Sequence, residues 1–209
     1  METQAEILAR SPLAQEKARL YASDPEYRRQ VDEVEEQRRK RIAAFQLASR
    51  PVLQDLLELG IDIPNIYTQF LDVDEHIDTV APLFLQYIRS GLLPDDVTWA
   101  LVSRLATKEA GKYWSEIKDL YLTETNETVK EALAGTLSVI ARKRNYQDLV
   151  DFVNTESLGE ARLLFLRPIF RYGGDEGKQL VISLRDHPQM YKEATYLTRK
   201  LIKSRPAYY

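Results

Sequence analysis

The segment Ala100-Leu101-Val102-Ser103-Arg104-Leu105 returns 32 residues later as Ala132-Leu133-Ala134-Gly135-Thr136-Leu137. It returns again as Leu164-Phe165-Leu166-Arg167-Pro168-Ile169, and a fourth time as Tyr196-Leu197-Thr198-Arg199-Lys200-Leu201. The first, second and sixth positions are apolar in every copy. Two further columns keep the same step upstream: Leu85, Ile117, Leu149 and Val181, then Ile88, Leu120, Phe152 and Leu184. With 44% hydrophobic residues, roughly one fully apolar column is expected by chance in such a period. Five are present, and their spacings are helical: i, i+3 in the upstream pair, and i, i+4 and i, i+5 downstream. Each unit therefore reads as a hairpin of two helices.

The punctuation between columns agrees. Ser90-Gly91 with Pro94, Thr125-Asn126, Ser157-Leu158-Gly159 and His187-Pro188 separate the paired helices. Asp95, Asp96, Glu127 and Glu160 open most of the second helices, where they complement the positive end of the helix dipole. The pattern predicts helices at about 78–89 and 95–107, 112–124 and 127–142, 145–154 and 159–172, and 175–186 and 188–204. Val52, Leu53 and Leu56 carry the columns one period back, predicting a degenerate hairpin over 51–73. A two-helix unit buries little alone, so neighbouring hairpins are expected to stack on one another.

These repeats resemble the short, roughly 32-residue bacterial type of HEAT-like repeat. The stretches most similar to that family are Val129-Lys130-Glu131-Ala132-Leu133 and Glu160-Ala161-Arg162-Leu163-Leu164-Phe165-Leu166-Arg167. The resemblance implies an all-α fold, an α-solenoid of stacked helical hairpins. It implies little chemistry, because this architecture is a scaffold for many surfaces.

Residues 1–50 form an N-terminal cap or arm, and 51–209 the repeat domain, with hairpins at about 51–73, 78–107, 112–142, 145–172 and 175–204. Ser11-Pro12 and Ser23-Asp24-Pro25 are helix starts, a capping side chain preceding a proline in the first turn. The second predicts a helix running to Ser49, with Tyr27, Val31, Val34, Ile42 and Phe45 at helical spacing and Arg38 interrupting the stripe. A cap closing the end of the repeat stack is the expected role. A coiled-coil dimerisation arm would need more heptads than this span offers. Arg38-Arg39-Lys40-Arg41 follows Asp32, Glu33, Glu35 and Glu36, so it reads as a solvated helix face rather than a nucleic-acid patch.

Composition narrows the function. No cysteine is present, which excludes a disulfide framework, thiolate metal ligation and a cysteine nucleophile. The first twenty residues carry six charges, and the longest uncharged apolar run, Thr79 to Ile88, is far short of the ~20 residues of a membrane span. A cytoplasmic protein with no membrane partner is the expectation. The net charge of −3 hides an asymmetry. Residues 51–139 hold 6 basic and 15 acidic side chains, whereas residues 140–209 hold 13 and 8.

No catalytic pattern emerges, and none is expected. His76 and His187 are far apart in sequence and lack partners at ligand spacing. Gly173-Gly174-Asp175 follows a helix and lacks the lysine and hydroxyl residue of a phosphate loop, so it reads as a helix C-cap. Asp72, Asp74, Glu75 and Asp78 crowd one loop without the glycine and distal glutamate of a calcium hairpin. Neither a metal nor a cofactor is expected.

The second helices of HEAT-like stacks usually line the binding face, which directs attention to their non-core positions. The column Trp99, Glu131, Leu163 and Thr195 is followed one turn later by Ser103, Gly135, Arg167 and Arg199. Trp99, Asp95, Asp96, Glu127, Glu131, Leu163, Arg167 and Arg199 are the partner-binding candidates, with Trp99 as anchor. The acidic members would steer a basic protein surface. The resemblance implies a non-catalytic protein-binding module, and small bacterial proteins that look like this often act as immunity or antitoxin partners of toxins. The rival surface is basic, with Arg162, Arg167, Arg171, Arg199 and Lys203 on the last two second helices. A few HEAT-like proteins bind DNA as alkylpurine glycosylases, so nucleic-acid binding or glycosylase chemistry is the alternative. The acidic first half of the face argues against it.

Overall fold

Asn126 shows how the repeat is built locally. Its side-chain oxygen accepts the backbone N–H groups of Thr128 and Val129 at 3.0 and 3.1 Å. That satisfies two otherwise orphaned donors at the start of the helix Glu127–Ile140. The computed structural model describes residues 11–66 and 73–203, apart from the side chains of 73, 74 and 200–203. Their regular structure is helical, without a strand. The α-helices are α1 (Pro12–Ser23), α2 (Pro25–Glu58), α3 (Val73–Ser90), α4 (Asp95–Arg104) and α5 (Trp114–Thr123). They continue with α6 (Glu127–Ile140), α7 (Tyr146–Asn154), α8 (Leu166–Tyr172), α9 (Gly174–Ser183) and α10 (Tyr191–Lys203). Short 3-10 segments, including Lys108–Tyr113 and Glu160–Phe165, lead into several of them.

The chain divides into two compact units, Met1–Leu47 and Ala48–Tyr209. In the first, Asp24 accepts from the backbone N–H groups of Glu26 and Tyr27 and so opens α2. The Tyr21 hydroxyl donates to Asp32 at 2.6 Å, tying α1 to α2. Neither α1 nor the part of α2 before Ser49 has a buried residue. The helix predicted to end at Ser49 runs on to Glu58, with Pro51 inside it. Of the expected hairpin over 51–73, the first helix is the end of α2, and the short segment Ile66 to Leu71 expected after Pro64 falls, apart from Ile66, outside the described residues. Residues 67–72 lie outside the described residues.

In the second unit, α3 pairs with α4, α5 with α6, α7 with the 160–165 segment and α8, and α9 with α10. The second member of each pair packs on the second member of the next: α4 on α6, α6 on 160–165 and α8, and α8 on α10. Side chains make the same step. Tyr87 donates to Asp55, Arg89 to Glu116, Trp114 to Asp148 and Asn126 to Asp95. The Thr136 hydroxyl donates to the Val102 carbonyl at 2.9 Å in a fully buried contact. Lys112 also pairs with Asp78.

Most members of the repeated columns form the core, with Leu120, Leu184 and Leu197 half-buried. Leu101, Leu133 and Phe165 are buried, as are Leu105, Leu137 and Ile169, and the whole column Leu85, Ile117, Leu149 and Val181. Each such side chain contributes about 1.5–3 kcal/mol relative to exposure. Tyr121, Phe152 and Phe165 meet at ring-centroid distances of 4.9–5.4 Å between α5, α7 and the 160–165 segment. The column Ala100, Ala132, Leu164 and Tyr196 departs from expectation. Ala100 is buried, Ala132 and Leu164 are half-buried, and Tyr196 is 60% exposed. This column lies at the margin of the packed face, and at α10 no further hairpin follows among the described residues to cover it.

The helix predicted over 159–172 is also broken in two, with 3-10 geometry to Phe165 and α8 only from Leu166. Pro168 explains the break. Within a continuous helix it would leave the Leu164 carbonyl without an N–H donor, whereas in the first turn its missing donor costs nothing. The Ser138 hydroxyl takes that carbonyl instead, at 2.9 Å. Likewise α10 starts at Tyr191, beyond His187-Pro188.

Candidate protein-interaction surface

Glu127 and Glu131 stand one turn apart on the first half of α6. Across from them, Gly159 adopts φ 72° and ψ −155°, a conformation essentially confined to glycine. The turn it makes delivers Glu160, Ala161, Leu163 and Leu164. Together with Thr128 these residues line a cleft of about 470 Å³. A smaller cleft of about 260 Å³ continues past Gly159, Glu160 and Leu163 to the residues from Pro188 to Lys192. The surface is a groove along the starts of successive second helices.

Arg162 holds the groove wall in place from behind. It is only 3% exposed. Its Nε donates to the Gly159 carbonyl and one terminal nitrogen to the Val153 carbonyl, each at 2.9 Å, and the other to Gln189 at 3.0 Å. One guanidinium thereby joins α7, the Gly159 turn and the segment before α10. The expectation that Arg162 belongs to a basic outer surface is corrected: its donors face backbone carbonyls and Gln189. Beside it, burial pushes the Tyr121 hydroxyl up to about 12, with Arg162 opposing and Glu127 adding to that shift.

The sequence candidates fall into three groups. Glu127, Glu131 and Leu163 line the larger cleft. Asp95, Asp96 and Trp99 lie on α4 and do not line it; Asp95 accepts from Asn126 at 2.6 Å, and Asp96 accepts the Val97 N–H at 2.9 Å. Trp99 is 39% exposed. Arg167 and Arg199 gather around Tyr196, each guanidinium 5.9 Å from its ring centroid. Arg167 also donates to Glu193 at 2.7 Å, which raises its pKa further. The Lys203 side chain lies outside the described residues. Sequence reasoning missed Glu160 and Tyr196 as surface residues. Glu160 carried only the signal of a helix-opening acid, and Tyr196 was absorbed into an apolar column.

Glu127, Glu131 and Glu160 have no lysine or arginine paired with them among the described residues. Three carboxylates share the lining of this cleft with the apolar side chains of Ala161, Leu163 and Leu164. Such a surface suits the aliphatic stem and charged head of a lysine or arginine. No group of three His, Asp or Glu side chains among the described residues is arranged to hold a metal ion. His76 is exposed, and His187 accepts the Gln189 N–H at 3.2 Å. The Asp72 and Asp74 side chains lie outside the described residues.

No family model matches the chain, and no curated protein or solved structure is significantly similar to it. No helix among the described residues is long and apolar enough to cross a membrane.

Proposed function

We propose that the hairpins from α3 to α10 stack as a short HEAT-like solenoid and that the protein acts without catalysis, docking a protein partner through the groove along its second helices. The observation that carries this reading is the convergence of Glu127, Glu131 and Glu160 on one cleft that Ala161, Leu163 and Leu164 also line, with no lysine or arginine paired to them among the described residues. A partner presenting a protruding lysine or arginine complements it in charge and shape. A cytoplasmic immunity or antitoxin role, with a basic toxin or effector domain as the partner, fits that chemistry.

The test uses the full chain as bait in an extract of its native cell, followed by titration of the purified captured protein. The product of the neighbouring gene is the first candidate. Support requires stoichiometric binding that weakens at least about tenfold, or 1.4 kcal/mol, on Glu131→Lys or Glu127→Lys, with the melting temperature unchanged. Binding indifferent to both reversals sinks the cleft. Uptake of DNA with a steep salt dependence, abolished by changing Arg167 and Arg199, would move the function to the basic face around Tyr196.

A further inference from the structure

Asp96, Thr128, Glu160 and Lys192 occupy one position of the 32-residue period, and the last three line the groove. Local helix physics accounts for the two acids. Asp96 and Glu160 open their helical segments, where a negative side chain complements the helix dipole. It does not account for Lys192, the second residue of α10, where a cation opposes that dipole. No neighbour compensates: no acid is paired with Lys192 among the described residues, and the adjacent Glu193 is held by Arg167 at 2.7 Å. The Lys192 ammonium instead lies 5.8 Å from the ring centroid of the exposed Tyr191.

Glu131 is its counterpart at the other end. It is exposed and stands beyond the first turn of α6, where the dipole no longer favours an acid. Glu160 and Leu163 line both clefts and so join them into one groove. Glu127 and Glu131 mark its α6 end and Lys192 its α10 end, with the apolar Leu163 common to both parts. Met190, only 2% exposed, backs the α10 part. The groove thus changes sign along its length, at residues whose charge the stability of their own helices does not explain.

We propose, resting on the reading of this groove as a protein-docking site, that its occupant is one continuous bipolar segment of the partner. The segment carries Lys or Arg where it crosses α6, an apolar side chain over Leu163, and Asp or Glu where it reaches Lys192. A purely basic segment would set like charges together at Lys192, and a purely acidic one would do so at Glu127 and Glu131. Opposite charges at the two ends also fix which way the segment lies. Packed helices stand ~8–10 Å apart, so the path from α6 across the 160–165 segment to α10 is about 20 Å. That is the reach of about six extended residues or about thirteen helical ones.

The test selects a phage-displayed library of random peptides, about thirteen residues long, on the full-length protein, on Lys192→Glu and on Glu131→Lys. The natural chain is expected to enrich peptides with a basic, an apolar and an acidic residue in one fixed order. Selection on Lys192→Glu should turn the acidic preference into a basic one and leave the original basic preference in place. Selection on Glu131→Lys should weaken only that basic preference. A synthetic peptide of the selected sequence should bind at least about tenfold more weakly to Lys192→Glu, and recover when its own acid is exchanged for lysine. Misfolding does not confuse the result, because glutamate suits the first turn of a helix and the melting temperature of Lys192→Glu should not fall. Enrichment of basic peptides indifferent to Lys192→Glu would overturn the bipolar segment and leave the docking groove standing. Enrichment of no common sequence would overturn it too, since a continuous segment binds without the rest of its protein; the groove itself is then judged by the response of the captured partner to Glu131→Lys.

Discussion

The indole Nε1 of Trp114 donates to the Asp148 carboxylate at 2.7 Å, reaching from the first helix of one hairpin to the first helix of the next. Trp114 is buried, and Lys118, one turn along α5, donates to the other carboxylate oxygen at 3.1 Å. One acid thus serves two donors from the preceding repeat and fixes how α5 and α7 approach. Asp148→Ala leaves the indole N–H without an acceptor and is expected to cost about 1–3 kcal/mol in urea denaturation. Asp148→Asn keeps an acceptor for Trp114 and gives up only the charge attraction to Lys118, so it should cost distinctly less. Equal losses from the two variants would deny the hydrogen bond its role.

Tyr121 provides an opposite case. Its ring packs edge-on against Phe152 and Phe165, yet its buried hydroxyl finds no hydrogen-bond partner among the described residues. An unmatched buried hydroxyl is a net cost, so Tyr121→Phe should raise stability by about 1 kcal/mol.

The same hydroxyl sets an alkaline limit. Burial raises the folded-state pKa of Tyr121 from 10.0 to about 12. Burial, followed by donation to Asp55, does the same for Tyr87. A group whose pKa is higher in the folded state binds its proton more tightly there. Its contribution is therefore complete below pH 10.0 and is lost as pH rises toward about 12. Stability measured by denaturation across this interval should fall with pH, and Tyr121→Phe should make the fall shallower without abolishing it, since Tyr87 remains.

These residues also show what a linear reading could reach. The period was legible because a shared interior demands apolar side chains at Leu101, Leu133 and Phe165 whatever the surface does. Helix starts at Asp95 and Glu127 were legible because capping and dipole effects are local. Glu127, Glu131 and Leu163 could be nominated from their column, but the cleft depends on Glu160, brought opposite by the turn at Gly159. Arg162 looked like a surface cation because nothing local reveals that the Val153 carbonyl, the Gly159 carbonyl and Gln189 converge on it. Tyr196 kept the apolar column in sequence, but that column lies at the margin of the packed face, where Ala132 and Leu164 are only half-buried. The extension of α2 through Pro51 was missed because a proline, read alone, argues for an end.

Arg162 should behave as a structural residue. Arg162→Lys retains the positive charge, but an ammonium cannot reproduce the planar fork that serves two carbonyls and Gln189. A loss of about 1–3 kcal/mol in urea denaturation is expected. Full stability in Arg162→Lys would mean that charge alone suffices at this site.

Glycine to alanine substitutions should have opposite signs at two places flanking the groove. Gly135 lies inside α6, where an added Cβ has no neighbouring atom within 4 Å. Alanine there reduces the freedom of the unfolded chain and favours helix, so Gly135→Ala should stabilise by about 0.5–1 kcal/mol. At Gly159 the nearest side-chain atom to an added Cβ is Glu127 Oε2 at 3.7 Å, an ordinary contact. Space is not the obstacle; the backbone is, since φ 72° with ψ −155° is strained for any residue with a Cβ. Gly159→Ala should therefore destabilise by about 1–3 kcal/mol, and relief of that strain would rotate the peptide leading into Glu160. Hydrogen exchange should then speed up at residues 160–165 and leave α4 unchanged. A Gly159→Ala protein as stable as the natural chain would show that the groove wall does not depend on this turn.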